Sequence, residues 1–389
     1  MADTVETAKR RRISGLEVLR GYAAFAVLLF HIEALYLPLP AGALKSTIEI
    51  FSAAVPLFFA LSAYSLLYGY SSRIFDQQSL LRFYVRRVFR IFPLFYLMLA
   101  LWQTVRHFDG VWTSRAEILL NMLFLYPLLP GKHDSLVSAG WSLGNEWMFY
   151  LIFPIFALLA RSSVASAAAF GVCILLSLAV FAIATDMYGA NYSYLSVLNH
   201  TMFFQAGVLA YSFAVRADLG KLQKKSGWLI AGSIGVIVLN RYTLSLNFLI
   251  LFAFVCGLWV VCAHSGLPGW IDNAMSRYLG RISYSLYLVH MWVLTLVART
   301  GVFEYGYFTG LLGIAIVLLV ASFTYRYIET PGISLGERLL AAVRRQHKLT
   351  PERHQEVTPR TRRDIPDGWS RASSPRHRYD GEADHANAG

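Results

Sequence analysis

Charged side chains are scarce in this chain. They make up 15% of its 389 residues, against about 25% in a soluble domain. Hydrophobic residues make up 56%, more than one water-soluble core could bury, which excludes a soluble globular protein. Cysteine is scarcer still. Cys173, Cys256 and Cys262 lie in apolar stretches with neither metal-ligand spacing nor a paired framework, so no metal site and no disulfide scaffold is expected. There is no internal repeat. No cleavable leader is expected either. Ala2 to Arg12 is polar, ends in Lys9-Arg10-Arg11-Arg12, and runs into an apolar stretch containing His31 and Glu33, which reads as an uncleaved first helix. The net charge of +12 would suit nucleic acid, but the basic residues sit at the ends of apolar runs, where a membrane already demands them. No nucleic-acid partner is expected.

What remains is a series of apolar runs, each near the roughly 20 residues that cross a bilayer. They predict an all-α, polytopic transmembrane helix bundle of about ten spans, at 16–37, 50–70, 84–105, 141–161, 166–185, 196–215, 226–242, 247–264, 281–299 and 306–326. The piece from Ile118 to Leu129 contains Pro127, precedes Pro130-Gly131, and is too short to cross. It is expected to be re-entrant or interfacial. Arg82, Arg86, Arg87, Arg90, Lys224 and Lys225 fall on one side with Lys9 to Arg12, and Lys45, Arg106 and Lys132 on the other. The positive-inside rule then puts both termini in the cytoplasm. The expected organisation is a cytoplasmic segment at 1–15, a membrane domain at 16–335, and a basic, disordered cytoplasmic tail at 336–389.

Ionisable residues within spans are costly, and each is a functional candidate. Arg20 and His31 are eleven residues apart. That is about three helical turns and a rise of about 16 Å, so the two share a face, with Arg20 near the cytoplasmic surface. They form either one site or a snorkelling arginine and a bundle histidine. Arg87 and Arg90 are one turn apart before Pro93, placed to grip phosphate or to meet lipid head groups. Glu146, in Trp141-Ser142-Leu143-Gly144-Asn145-Glu146, lies about 7 Å deep from the outer surface, near the expected depth of His31. It either orients that imidazole or is a capped structural carboxylate. Ser283, Tyr287 and His290 form a polar stripe that lines a site or joins helices. Ser62 is the one polar handle in the second span, and Glu329 could pair an arginine at the cytoplasmic entrance.

In this order the segments resemble the acyltransferase 3 family of membrane acyltransferases. Leu16-Glu17-Val18-Leu19-Arg20-Gly21 with His31 is similar to that family's Arg, ten residues, His motif. The Phe58-Phe59 segment with Ser62, the arginines before Pro93, the Trp-Ser-Leu stretch with Glu146, the Ser-Tyr stretch through His290, and Glu329-Thr330-Pro331 follow in sequence. Ala63 stands where the family usually has glycine, and the fused extracytoplasmic esterase-like domain that some members carry is not expected here.

The resemblance implies an enzyme of the inner (plasma) membrane that moves an acyl group from acyl-CoA, usually acetyl-CoA. The acceptor would be a hydroxyl of a surface or exported polysaccharide, such as an O-antigen or exopolysaccharide, or of a glycolipid. It implies that Arg20 and His31 are essential and that Arg87 and Arg90 engage the CoA phosphates. The expected catalytic set is His31, Glu146 and Arg20, with Ser62, Trp141, Ser142, Tyr284, Tyr287 and His290 lining the substrate. Membrane lipid and polysaccharide-assembly proteins are the further expected partners. Acylation of a small molecule such as a macrolide, or glycan or lipid transport, are the alternative readings.

Overall fold

The computed structural model describes residues 13–71, 74–129, 132–242 and 248–349. Among these residues every element is helical. The first half holds α1 (Ser14–Leu35), α2 (Ala43–Glu49), α3 (Ala54–Tyr70), α4 (Gln77–Phe108), α5 (Arg115–Met122), α6 (Trp141–Leu151) and α7 (Phe153–Leu159). Next come α8 (Ser163–Tyr188), α9 (Ala190–Leu195), α10 (Thr201–Ala214), α11 (Gly220–Gln223) and α12 (Ser226–Tyr242). The chain then forms α13 (Phe248–Ser265), α14 (Ala274–Ala298), α15 (Phe308–Thr324) and α16 (Thr330–Leu349). Lys9 to Arg12, Arg73, Pro130-Gly131 and residues 350–389, on which parts of the topology and tail expectations rest, lie outside the described residues.

Among the described residues, seven helices are long and apolar enough to cross a membrane, and eight if α6 and α7, bent by 63°, count as one broken span. The expected ten included 196–215 and 226–242, and here the structure is shorter. α10 has 14 residues and α12 has 17. Nearly all of α10 is buried, so its hydrophobicity on every face serves the protein core as well as it would serve lipid. The break after Leu151 falls just before Phe153-Pro154, where a proline in the first turn starts a new helix. The 115–129 piece does not cross. A capping box of Ser114 and Glu117 starts α5, and a tight turn at Tyr126–Leu128 seats Tyr126 in the core with its hydroxyl donating to the Gly140 carbonyl at 2.7 Å.

Small residues let the site-bearing helices touch backbone to backbone, the usual device where lipid offers no hydrophobic drive. Gly21 of α1 faces the backbone of Leu279 and Gly280 on α14, and a Cβ there would lie 2.6 Å from the Gly280 nitrogen. Gly207 of α10 meets the Ala60 carbonyl of α3 in the same way. α1 packs most extensively on α14, and α3 on α10.

The last span does not end at Glu329-Thr330-Pro331. Tyr325–Glu329 is a π-helical turn, and the helix continues as α16. The described residues through Ala342 form one compact unit. Gly332 and Gly336 lie against Phe89 of α4, and Arg86 holds Glu337 in a forked ion pair at 2.6 and 3.1 Å. These contacts explain why polar residues beyond 335 still fold, and the helix persists through Arg344 and Arg345 to Leu349.

Candidate active site

Five helices of this compact unit surround one cavity of about 70 Å³. α1 supplies Arg20, α3 Phe58, Phe59 and Ser62, and α4 Arg87 and Arg90. α6 supplies Ser142, Glu146 and Tyr150, and α14 Ser283, Tyr284 and Tyr287. A second cavity of about 290 Å³ shares Arg20 and Arg90 with the first and adds Glu17, Tyr68, Arg281 and Glu329. The two arginines thus stand between an inner chamber and an outer one and line both.

The charges are arranged in layers. Arg20 donates to the Leu61 carbonyl at 3.4 Å. Arg90 approaches the buried Glu329 at 3.9 Å, and that carboxylate also accepts from Ser285 at 2.8 Å. The Arg87 guanidinium lies over the rings of Tyr150 and Phe83, 5.6 and 5.9 Å from their centroids, and its Nε is buried without a hydrogen-bond partner. Arg87 lines the inner chamber, so its guanidinium is placed to meet an anionic ligand group, and a buried nitrogen left without a partner is costly. Arg86, the neighbour of Arg87, is occupied by Glu337 outside the chamber.

Glu146 accepts hydrogen bonds from Ser62 and Tyr150. The expectation that it would orient His31 from a matching depth is not what the structure displays. His31 Nδ1 contacts the Val27 carbonyl at 2.9 Å and Nε2 of His290 at 3.2 Å. Matched depth leaves rotation open, and the tight seam between α1 and α14 turns His31 toward His290. Glu146, on a helix that faces α3, meets Ser62 instead.

The other expected residues divide. Ser142 and Tyr287 are joined at 2.7 Å, and the Tyr287 hydroxyl donates to the Ala139 carbonyl at 2.9 Å. Ala139 holds a left-handed backbone with φ of 63°, a strained conformation for a residue with a Cβ, and so aims its carbonyl at that tyrosine. Tyr284 lines the cavity, but its hydroxyl donates to the Ile91 carbonyl at 2.6 Å. Trp141 is not among the cavity residues. It packs on Tyr194 and His200 at 5.3 and 5.2 Å between ring centroids. His290 sits beside His31, and neither histidine is among the residues that line the two cavities.

Sequence reasoning passed over Tyr150 as a site residue. The available signal was its position four residues after Glu146, where helical side chains meet. It also passed over His200, which is buried, bonds the Tyr194 carbonyl at 2.7 Å, and packs on Phe59.

Fold and site together define a multi-pass membrane protein with a chamber of arginines, a carboxylate and hydroxyls inside its helix bundle. Residues 13–327 match the acyltransferase domain of the acyltransferase 3 family, and the chain belongs to that family. It is a membrane acyltransferase that transfers groups other than aminoacyl groups. One similar protein, from Komagataeibacter xylinus, is named as membrane-bound transacylase BcsY. It is 27% identical over 361 residues, covering 86% of each chain. Another is the peptidoglycan O-acetyltransferase OatA of Listeria monocytogenes serovar 1/2a, 23% identical over 360 residues. That match covers 83% of this chain and 56% of the Listeria protein. No solved structure matches.

Proposed function

We propose that this acyltransferase takes an acetyl group from cytoplasmic acetyl-CoA and delivers it to a hydroxyl of a surface or exported polysaccharide or glycolipid. The site would lie in the inner membrane, with both termini cytoplasmic. One observation carries the donor reading: Arg20, Arg87 and Arg90 converge on one cavity, and one of their buried nitrogens lacks a partner. Guanidinium groups bind phosphate in forked geometry, and the phosphates of CoA would lie between Arg20 and Arg90, which line both chambers, and Arg87 on the inner one. The acceptor reading draws on the Listeria relative, named for O-acetylation of peptidoglycan.

In this scheme the pantetheine arm runs past these arginines and presents the thioester to the inner chamber. The acceptor hydroxyl attacks the thioester carbon, and His31 takes its proton. The carbon–sulfur bond breaks, CoA leaves as thiolate, and the proton on His31 neutralises it. If His31 itself attacks first, an acyl-imidazole forms and the hydroxyl then displaces it. Glu146, between Ser62 and Tyr150, balances the arginines and holds the two hydroxyls toward the chamber. The test is purified protein in nanodiscs with radiolabelled acetyl-CoA and an oligosaccharide acceptor. Labelled ester and free CoA in equal amounts are expected. Absence of both CoA binding and CoA release would overturn the donor assignment.

A further inference from the structure

We propose that His290 is a positioning residue that fixes the tautomer of His31, leaving Nε2 of His31 as the unprotonated, reacting nitrogen. The inference rests on the reading of His31 as base or acyl carrier, and it is argued from which atoms can donate. His290 Nδ1 lies 2.5 Å from the Tyr287 carbonyl. A carbonyl only accepts, so Nδ1 of His290 carries a hydrogen. His31 Nδ1 lies 2.9 Å from the Val27 carbonyl, one turn back on its own helix, so it carries a hydrogen as well. The remaining contact, His290 Nε2 to His31 Nδ1 at 3.2 Å, then has its hydrogen on the His31 side. His290 Nε2 must present a lone pair, because a hydrogen there would face another hydrogen. Only one neutral arrangement satisfies all three contacts. Both rings are protonated at Nδ1, and the His31 N–H is shared between Val27 and His290.

The consequence is chemical. In a neutral imidazole one nitrogen donates and the other accepts, and the donating nitrogen of His31 is committed. Its Nε2 keeps a lone pair for a proton or an acyl carbon. When Nε2 takes that proton, His31 becomes an imidazolium. Its Nδ1–H bond to His290 becomes charge-assisted and strengthens. His290 thus occupies the place that a carboxylate holds in a hydrolase triad, using a neutral acceptor. The packing enforces the pairing. The rings lie 4.9 Å apart, His290 is buried, and the helices that carry them meet at Gly21 and Gly280. Tyr287, which anchors His290 through its carbonyl, also lines the inner chamber, so the histidine pair and the chamber share one residue.

The experiment combines nitrogen NMR with kinetics on the full chain in nanodiscs. In histidine-labelled protein, the His31 signals are assigned by difference from His31→Gln. The proposal expects a protonated Nδ1 and a bare Nε2. A protonated Nε2 on His31 overturns it, whether or not His31 is catalytic. His290→Leu removes the acceptor, while His290→Gln retains a side-chain oxygen able to accept the His31 N–H. The expected result is a fall in kcat of about 10²-fold for His290→Leu at unchanged KM for acetyl-CoA, with His290→Gln within about tenfold of wild type. Equal losses in two folded variants would overturn the positioning role. Failure of the underlying reading looks different: His31→Gln would keep wild-type transfer, while the nitrogen signals would still report the tautomer.

Discussion

His31 is a residue that packing does not require to be histidine. The amide NH2 of glutamine would keep a donor for the Val27 carbonyl and His290 Nε2, but the side chain takes no proton near neutral pH. His31→Gln should therefore insert and fold, still bind acetyl-CoA, and lose transfer by about 10²-fold or more, measured as ester formed per bound donor. Transfer near wild type would rule out both versions of its role. Arg87 invites a second substitution, because its Nε has no partner to lose. Arg87→Ala should weaken acetyl-CoA binding by about 1.5–3 kcal/mol, read by calorimetry, and unchanged affinity would reduce it to a lipid or topology charge. Arg90→Ala is the poorer probe, since it also strips the buried Glu329 of its cation. Glu146→Gln should be milder than His31→Gln. An amide still accepts from Ser62 or Tyr150, and the change removes only the charge that balances the arginines.

At the scale of elements, the site exists because a few helices approach closely at chosen points. Gly21 follows Arg20 directly, so the α1–α14 contact fixes the azimuth of that arginine and, three turns on, of His31. Gly207 does the same for α3, the helix of Ser62, by meeting Ala60. Gly207→Leu should drive α10 from α3 and destabilise the bundle by about 1–3 kcal/mol or more, visible as a lower thermal midpoint in detergent. An unchanged midpoint would mean that this seam can open without loss. The bend between α6 and α7 and the π turn at Tyr325–Glu329 are the two irregular segments beside the site. The first ends the helix of Glu146, and the second turns Glu329 inward to Arg90 and Ser285. Proline at 154 signals the bend. No residue type signals the π turn, since it comes from packing between α15, α16 and α4.

For the whole molecule, the open question is how many times the chain crosses. Val197–Ala214 is continuous helix, four residues of it tight 3₁₀, and runs about 29 Å at the usual rises. α12 runs about 26 Å. Either is nearly the hydrocarbon thickness of about 30 Å, so both are expected to cross as a pair despite their shortness. A reporter after Lys225 should then face the cytoplasm, as should one at Gly389, while one after Ala43 should face outward. If neither short helix crosses, the Lys225 reporter faces outward with the C-terminus still inside. An outward C-terminus would sink the topology altogether. The helical membrane character was legible in composition and apolar run length. The exact number of crossings was not, because an apolar run records exclusion from water without saying whether protein or lipid replaces it.

The sequence by itself determined that this is a helical membrane protein and which ionisable residues are held against the cost of burial. In the order of its short motifs, it also pointed to the acyltransferase 3 family. Those are one-dimensional properties: run length, charge position, and spacing along a helix. Tertiary structure decided which of those residues meet. Arg20, Arg87, Arg90 and Glu146 share one cavity, Glu146 belongs to Ser62 and Tyr150, and His31 belongs to His290. Helical spacing gives depth along the membrane normal, and residues at equal depth on different helices look alike in sequence. Contact also depends on the rotation and crossing of each helix. Here those are set by single glycines such as Gly21, Gly207 and Gly280, whose effect appears only when the partner backbone arrives.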